Sequence, residues 1–168
     1  MPTRLAPPRV EIMAAMEIRT AVAAEAPTIA RFNALMAKET EGIELDQDRV
    51  LAGVRAVFEK PERGWYLVAV DSGEVIGQLM VTFEWSDWRN GVFWWIQSVY
   101  VKPEARGSGV YKALYAELLR RASEDSGVCG VRLYVEKHNQ RAQEVYARQG
   151  MRRADYDLFE VDFVLTRT

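Results

Sequence analysis

Apolar residues recur along this chain in two periods that change from segment to segment. Glu17–Val22 reads as a short first strand. Glu25–Glu39 then carries Ile29, Phe32, Leu35 and Met36 at helical spacing, on one stripe. Glu41-Gly42 breaks that pattern. A second helix is predicted from Asp46, with Val50, Leu51, Val54, Val57 and Phe58 on its apolar face, ending at Pro61 and Gly64.

The middle of the chain changes period. Trp65–Val70 and Glu74–Trp85 alternate as strands around the tight turn Asp71-Ser72-Gly73, which is a hairpin signal. Ser86–Gly91 supplies the next turn, and Val92–Val101 a third strand of the same antiparallel group, stopped by Pro103. From Gly107 a helix opens, with Val110, Leu114, Leu118 and Ala122 inward. Gly127 and Gly130 bracket a return to strand at Val131–Glu136. A helix follows over Asn139–Gln149, ended by Gly150. Met151–Tyr156 and Leu158–Leu165 read as a last pair of strands.

The predicted order is β-α-α-β-β-β-α-β-α-β-β. The unit Val92–Glu136 is strand–helix–strand and makes two strands parallel, with a right-handed crossover. The rest is antiparallel. A mixed α/β fold follows, with helices on both faces of the sheet.

Composition narrows the function classes. The 168 residues, with 49% hydrophobic and 27% charged positions, fit one ordinary soluble domain over 16–168. Residues 1–15 read as a loose N-terminal extension, with Met13 and Met16 as alternative starts. Pro7, Pro8, Arg9 and Glu11 interrupt any signal-peptide core there, and no apolar run reaches the roughly 18 residues of a membrane span. A cytoplasmic protein is expected. The net charge of −2 argues against a general nucleic-acid binder. Cys129 is the only cysteine and His138 the only histidine, which excludes an intrachain disulfide and leaves multi-cysteine or histidine-rich metal sites without ligands. No metal is expected. Cys129 reads as a small buried hydrophobe.

Arg106-Gly107-Ser108-Gly109-Val110-Tyr111-Lys112 joins a strand to a helix. Glycines let backbone approach a ligand closely. The free N–H groups of a first helical turn, with the helix dipole, favour an anion such as phosphate. Arg106 and Lys112 add charge at the rim. The segment lacks the spacing of a P-loop, and Lys112 stands where a dinucleotide fingerprint needs its third glycine. A glycine-rich loop serving only chain geometry is the remaining alternative.

The helix from Asn139 adds a second signal. Asn139, Ala142 and Tyr146 share one helical stripe, where a purely structural stripe would be aliphatic. Taken together, the segments resemble the GCN5-related N-acetyltransferase (GNAT) superfamily. Gln97-Ser98-Val99-Tyr100-Val101-Lys102-Pro103 resembles its fourth strand. Arg106-x-x-Gly109 resembles its pyrophosphate turn, and Asn139-xx-Ala142-xxx-Tyr146-xxx-Gly150-Met151 its second motif. The element order matches from Glu17 onward. Tyr111 replaces a usual Gly or Ala, and Met151 a usual Phe. Tyr134 stands where many relatives carry a base glutamate.

The resemblance implies a mostly antiparallel seven-stranded sheet with one parallel, splayed pair and about four helices. It implies an acetyl-CoA-dependent transferase acting on a small-molecule or peptide amine, in a superfamily where homodimers are frequent. Val99, Tyr100 and Val101 would line the pantetheine arm, Gly107, Ser108, Gly109, Val110, Tyr111 and Lys112 would hold the pyrophosphate with Arg106, and Asn139 would bond the arm. Tyr146 would be the general acid, since a phenol with a pKa of about 10 is protonated at pH 7.

The base has several candidates. Glu84 sits among tryptophans in Phe83-Glu84-Trp85-Ser86-Asp87-Trp88-Arg89, where desolvation favours a base, or a cross-strand ion pair accounts for it. Glu39, Glu41 and Glu44 are alternatives, as is a water chain. Trp85, Trp88, Trp94 and Trp95 crowd one hairpin, either as an acceptor wall or as packing, and alternation puts Trp94 and Trp95 on opposite faces. A silent acyl-CoA-binding module and another acyl donor also fit these residues.

Overall fold

The computed structural model describes residues 16–164. Residues 1–15 and the last position of the expected strand Leu158–Leu165 lie outside them. The chain divides between Tyr134 and Val135 into two units.

In the first unit, β1 (Glu17–Thr20) leads into α1 (Ala26–Glu41) and α2 (Gln47–Glu59), and then β2 (Trp65–Asp71), β3 (Glu74–Ser86) and β4 (Gly91–Val101) follow. After α3 (Val110–Glu124) the chain returns as β5 (Val128–Leu133). The five strands lie in the order β1-β2-β3-β4-β5, antiparallel except for the parallel pair β4·β5. Local chemistry marks the helix ends. Gly42, at φ 69°, closes α1 in a left-handed cap, and Asp46 accepts the Arg49 N–H at 2.8 Å to start α2.

The alternation of the strands sorts the core. Tyr66, Val68 and Val70 of β2 face α1 and α2 and pack on Ile29, Phe32, Val54 and Val57. Tyr100 joins that face, 4.9 Å from the Phe32 ring. Leu67 and Leu79, cross-strand partners on the opposite face, are fully buried. That face receives α3: a side chain on Gly77 would stand 2.8 Å from Val110, and Arg121 lies over Trp65. Helices therefore cover both faces, as the periodicity predicts.

Two expectations need correction. The fifth strand is Val128–Leu133, not Val131–Glu136. Gly130 is not a boundary: it lies inside the strand, at a place where a Cβ would meet the Phe93 ring at 2.6 Å. The sheet also has five strands among the described residues, not seven. Met151–Tyr156 and the described part of Leu158–Leu165 form no strand. Their apolar residues, from Tyr156 to Val164, are exposed. A strand persists only when a ladder and a packed face support it, whatever its side-chain pattern.

The second unit holds α4 (Gln140–Arg148). Asn139 caps it, and Gly150, at φ 85°, follows its end. No helix among the described residues is long and apolar enough to cross a membrane.

Candidate functional site

β4 parts from its neighbour half-way along its length. Its pairing with β5 ends at Ile96↔Leu133. At the same point Gln97 bulges out of the ladder with β3, where Met80 pairs Ser98 and Val81 pairs Ile96. Gln97 Nε2 donates to Thr82 Oγ1 at 2.8 Å and holds the bulge. A bulge bends its strand and increases twist. Among the described residues, Gln97–Val101 then has no strand on the β5 side.

The direction of this open edge follows from one bond. Lys102 N–H donates to Ile76 O at 2.9 Å, so the peptide groups of Tyr100 and Ser98, two and four residues earlier, also turn toward β3. Those of Val99 and Val101 turn outward. Val101 O is taken by Arg106 Nε at 2.9 Å. Val99 presents both a donor and an acceptor, which suits an extended ligand lying alongside as an added strand.

The open edge runs into the glycine turn. Gly107 and Gly109 have φ of 82° and 89°, where an L side chain is strained, and a Cβ built on either meets nothing within 4 Å. Gly109 is the N-cap of α3 and no side chain caps the helix. The first-turn N–H groups of Val110 and Lys112 thus face an open cradle at the positive end of a dipole, which suits phosphate oxygens. Ser108 is spent on the turn itself, its hydroxyl donating to Ala105 O at 2.7 Å. Val110 is buried against the sheet, while Lys112 is exposed. Tyr111 stacks on Tyr115, with ring centres 5.9 Å apart. Open backbone, double glycine and an uncapped helix start together fit the pantetheine and diphosphate of coenzyme A.

Glu84 occupies a different place. It pairs with Phe93 across the ladder, and both of its oxygens are engaged: Trp95 Nε1 donates to one at 2.5 Å and Arg132 to the other at 2.9 Å. The cross-strand ion pair weighed against a base is therefore present, with Arg132 as its cation. Arg132 also lies 3.6 Å from the Phe93 ring centre, and Tyr134 stacks on Trp95 at 4.3 Å. Trp94 faces the other way and packs edge-on against Trp65 at 5.3 Å, as alternation requires.

The remaining acids differ. Glu44 pairs with Lys38 at 2.7 Å, and that hydrogen bond holds its carboxyl below the usual range. Glu41 closes α1 and is exposed. Glu39, in the last turn of α1, reaches Tyr100 and Arg106. Burial first, and then the Glu39 carboxylate, push the Tyr100 phenol above its ordinary range.

In the second unit, Asn139 Oδ1 accepts the Ala142 N–H at 3.0 Å, so the amide oxygen serves the cap and Nδ2 takes no part in it. Burial raises the Tyr146 phenol above its ordinary 10.0, which keeps its proton in place.

The residues expected from Val99 to Lys112 thus form one continuous path in the first unit. Sequence reasoning missed Arg132, which carries no motif, and Gly77, whose signal was a lone glycine inside a strand pattern. Gly77 lets Val110 sit against the sheet and so sets how deep the start of α3 lies.

The family profile described as "Acetyltransferase (GNAT) family" matches residues 29–151. A solved "possible acetyltransferase from Clostridium difficile 630" is 43% identical, with a TM-score of 0.83, over 89% of this chain and 99% of that one. An aminoglycoside N-acetyltransferase, AAC(6')-Iy, solved with CoA, shares the fold at 17% identity and a TM-score of 0.75, over 92% and 99% of the two chains. A ribosomal-protein-alanine N-acetyltransferase from Brucella melitensis biovar Abortus 2308 does so at 19% identity and a TM-score of 0.70, over 89% and 100%. No curated protein is a significant match.

Proposed function

The chain belongs to the GNAT acetyltransferase family, and on that premise we propose that it moves the acetyl group of acetyl-CoA to a primary amine by direct attack in the cytoplasm. The observation that carries the reading is the outward edge of Val99 and Val101 running straight into an uncapped helix start at Gly109.

In this reading the edge of β4 holds the pantetheine arm as an added strand. An outward N–H of that edge is the oxyanion donor. The amides from Gly107 to Lys112 hold the diphosphate. Acetyl-CoA, when bound, supplies an acetyl thioester. The amine must be neutral to attack, because its lone pair is the nucleophile. Trp95 and Arg132 each hold one oxygen of Glu84 as a carboxylate, which disfavours its taking a proton, so water carries the ammonium proton away. Tyr146, which keeps its phenolic proton at Oη, is the acid for the departing sulfur. Asn139 uses Nδ2 toward the arm.

A second reading has an observation in its favour. Tyr134 stands at the usual base position and is stacked on Trp95, and Glu84 is tied in an ion pair, so among the described residues neither position offers a free carboxylate. A silent acyl-CoA-binding module needs none.

Calorimetry with acetyl-CoA and CoA, followed by thiol release across an amine panel, separates the two. The panel includes an aminoglycoside, a polyamine, free amino acids and a peptide with an N-terminal alanine. Binding with thiol release from one amine class is expected. Binding without release from any amine favours the silent module, and no binding of either nucleotide sinks both readings.

A further inference from the structure

Arg106 does not extend freely at the rim of the glycine turn. Its Nε donates to Val101 O at 2.9 Å and its Nη2 to Glu39 Oε2 at 2.6 Å. The guanidinium lies 5.5 Å from the Tyr100 ring centre. The other oxygen of Glu39 accepts the Tyr100 hydroxyl at 3.1 Å. One carboxylate from the end of α1 therefore reaches both the last stretch of β4 and the first residue of the turn.

The turn needs such a support. Gly107 and Gly109 both sit in the left-handed region, and two glycines in three residues leave a segment with many competing conformations. Within it, Ser108 ties only to Ala105, three residues back. The contact of Arg106 with Glu39 ties this turn to the end of α1 across 67 positions. Guanidinium–carboxylate bonds are short and directional, and a planar fork held by two acceptors has less freedom to swing. Pairing with Glu39 also offsets the Arg106 charge, which leaves anion binding to the backbone N–H groups.

We infer that Glu39 is a positioning residue for the acyl donor: its carboxylate pins Arg106 across Tyr100 and so holds the glycine turn open for a diphosphate. The inference rests on the proposed reading that this turn seats coenzyme A. It gives Glu39 a role through Arg106, on the donor side, and removes it from the candidate bases.

The test compares wild type, Glu39→Ala and Glu39→Gln by calorimetry with CoA, and by steady-state kinetics with acetyl-CoA and with acetyl-pantetheine, which lacks the diphosphate. Circular dichroism checks that each variant is folded. Glu39→Ala should weaken CoA binding roughly threefold, the loss of a pair that is 41% and 39% exposed and so screened by solvent. The donor KM should rise with it while kcat at saturation changes little, and the KM for acetyl-pantetheine should not move. Glu39→Gln keeps an acceptor for Arg106 and should recover most of the affinity, and Glu39→Leu, which removes both acceptors at similar volume, replaces the alanine variant if that does not fold. Wild-type or tighter CoA binding by the variant that lacks the acceptor would overturn the inference, the tighter case meaning that Glu39 competes with phosphate for Arg106. A fall in kcat with unchanged donor KM would overturn it too, by making Glu39 the base. If wild type itself does not bind CoA, the fault lies with the proposed function.

Discussion

The indole N–H of Trp95 ends on Glu84 Oε2, 2.5 Å away, across the β3–β4 ladder. Arg132 takes the other oxygen from the parallel strand, so the carboxylate joins three strands. Its partners are partly exposed, with 44% of the Glu84 side chain and 33% of Arg132 open to solvent. Such a pair contributes about 0.5 kcal/mol. Glu84→Gln should therefore leave the pH–rate profile where it is and lower the melting temperature by only a degree or two, on the order of that energy. A displaced acidic limb in the profile of kcat/KM would instead make Glu84 the base.

Glu117 on α3 accepts from Arg120 Nε at 2.8 Å and from Arg121 Nε at 2.7 Å. Arg120 first and Arg121 second hold its carboxyl down at about 2, against an ordinary 4.5. A depressed folded pKa contributes stability above the unfolded value, and that contribution is lost as pH falls through the folded one. The window is therefore pH 4.5 down to about 2. Thermal melts across it should show wild type losing on the order of 3 °C from this group. Glu117→Gln should lack that part of the acid loss. Identical slopes for the two proteins would remove Glu117 from the acid response.

The hairpin β2–β3, the two opening helices and the parallel return were legible because their signals are local: alternation, stripes and turn residues within a few positions. The glycine turn was legible for the same reason. What the sequence hid was set by distant neighbours. Gly130 looked like a boundary, and only the Phe93 ring shows why a strand needs glycine there. Leu35 fits the helical stripe of α1 yet is 39% exposed, because the buried face is shared with the small residues Ala26, Ala30 and Ala37. Residues 151–164 carry apolar positions that suggest strands, but no ladder holds them. The contact of Glu39 with Arg106 spans 67 positions and leaves no mark in either local pattern.

Tyr146 keeps its proton more tightly than a free phenol, because burial raises it above 10.0. An acid works only while protonated, so this group should impose no fall in kcat as pH rises until beyond 10.0. Tyr146→Phe removes the proton and little volume. Turnover should drop about 100-fold, while CoA affinity by calorimetry stays within about twofold. Wild-type turnover in the variant would remove Tyr146 as the acid.

Gly109 separates two effects that a larger substitution would merge. Its φ of 89° is unfavourable for any L residue, so Gly109→Ala should cost about 1–2 kcal/mol of stability. Nothing lies within 4 Å of the new methyl group, so the protein alone has no clash to relieve. A diphosphate seated on the α3 amides would meet that methyl directly. CoA affinity should therefore fall by more than about 10-fold under conditions where the variant is fully folded, well beyond what the modest stability loss explains. Calorimetry at low temperature, with a melt on the same sample, reads both quantities. A variant that melts earlier yet binds CoA as wild type does would place the diphosphate elsewhere and leave Gly109 as a residue of chain geometry only.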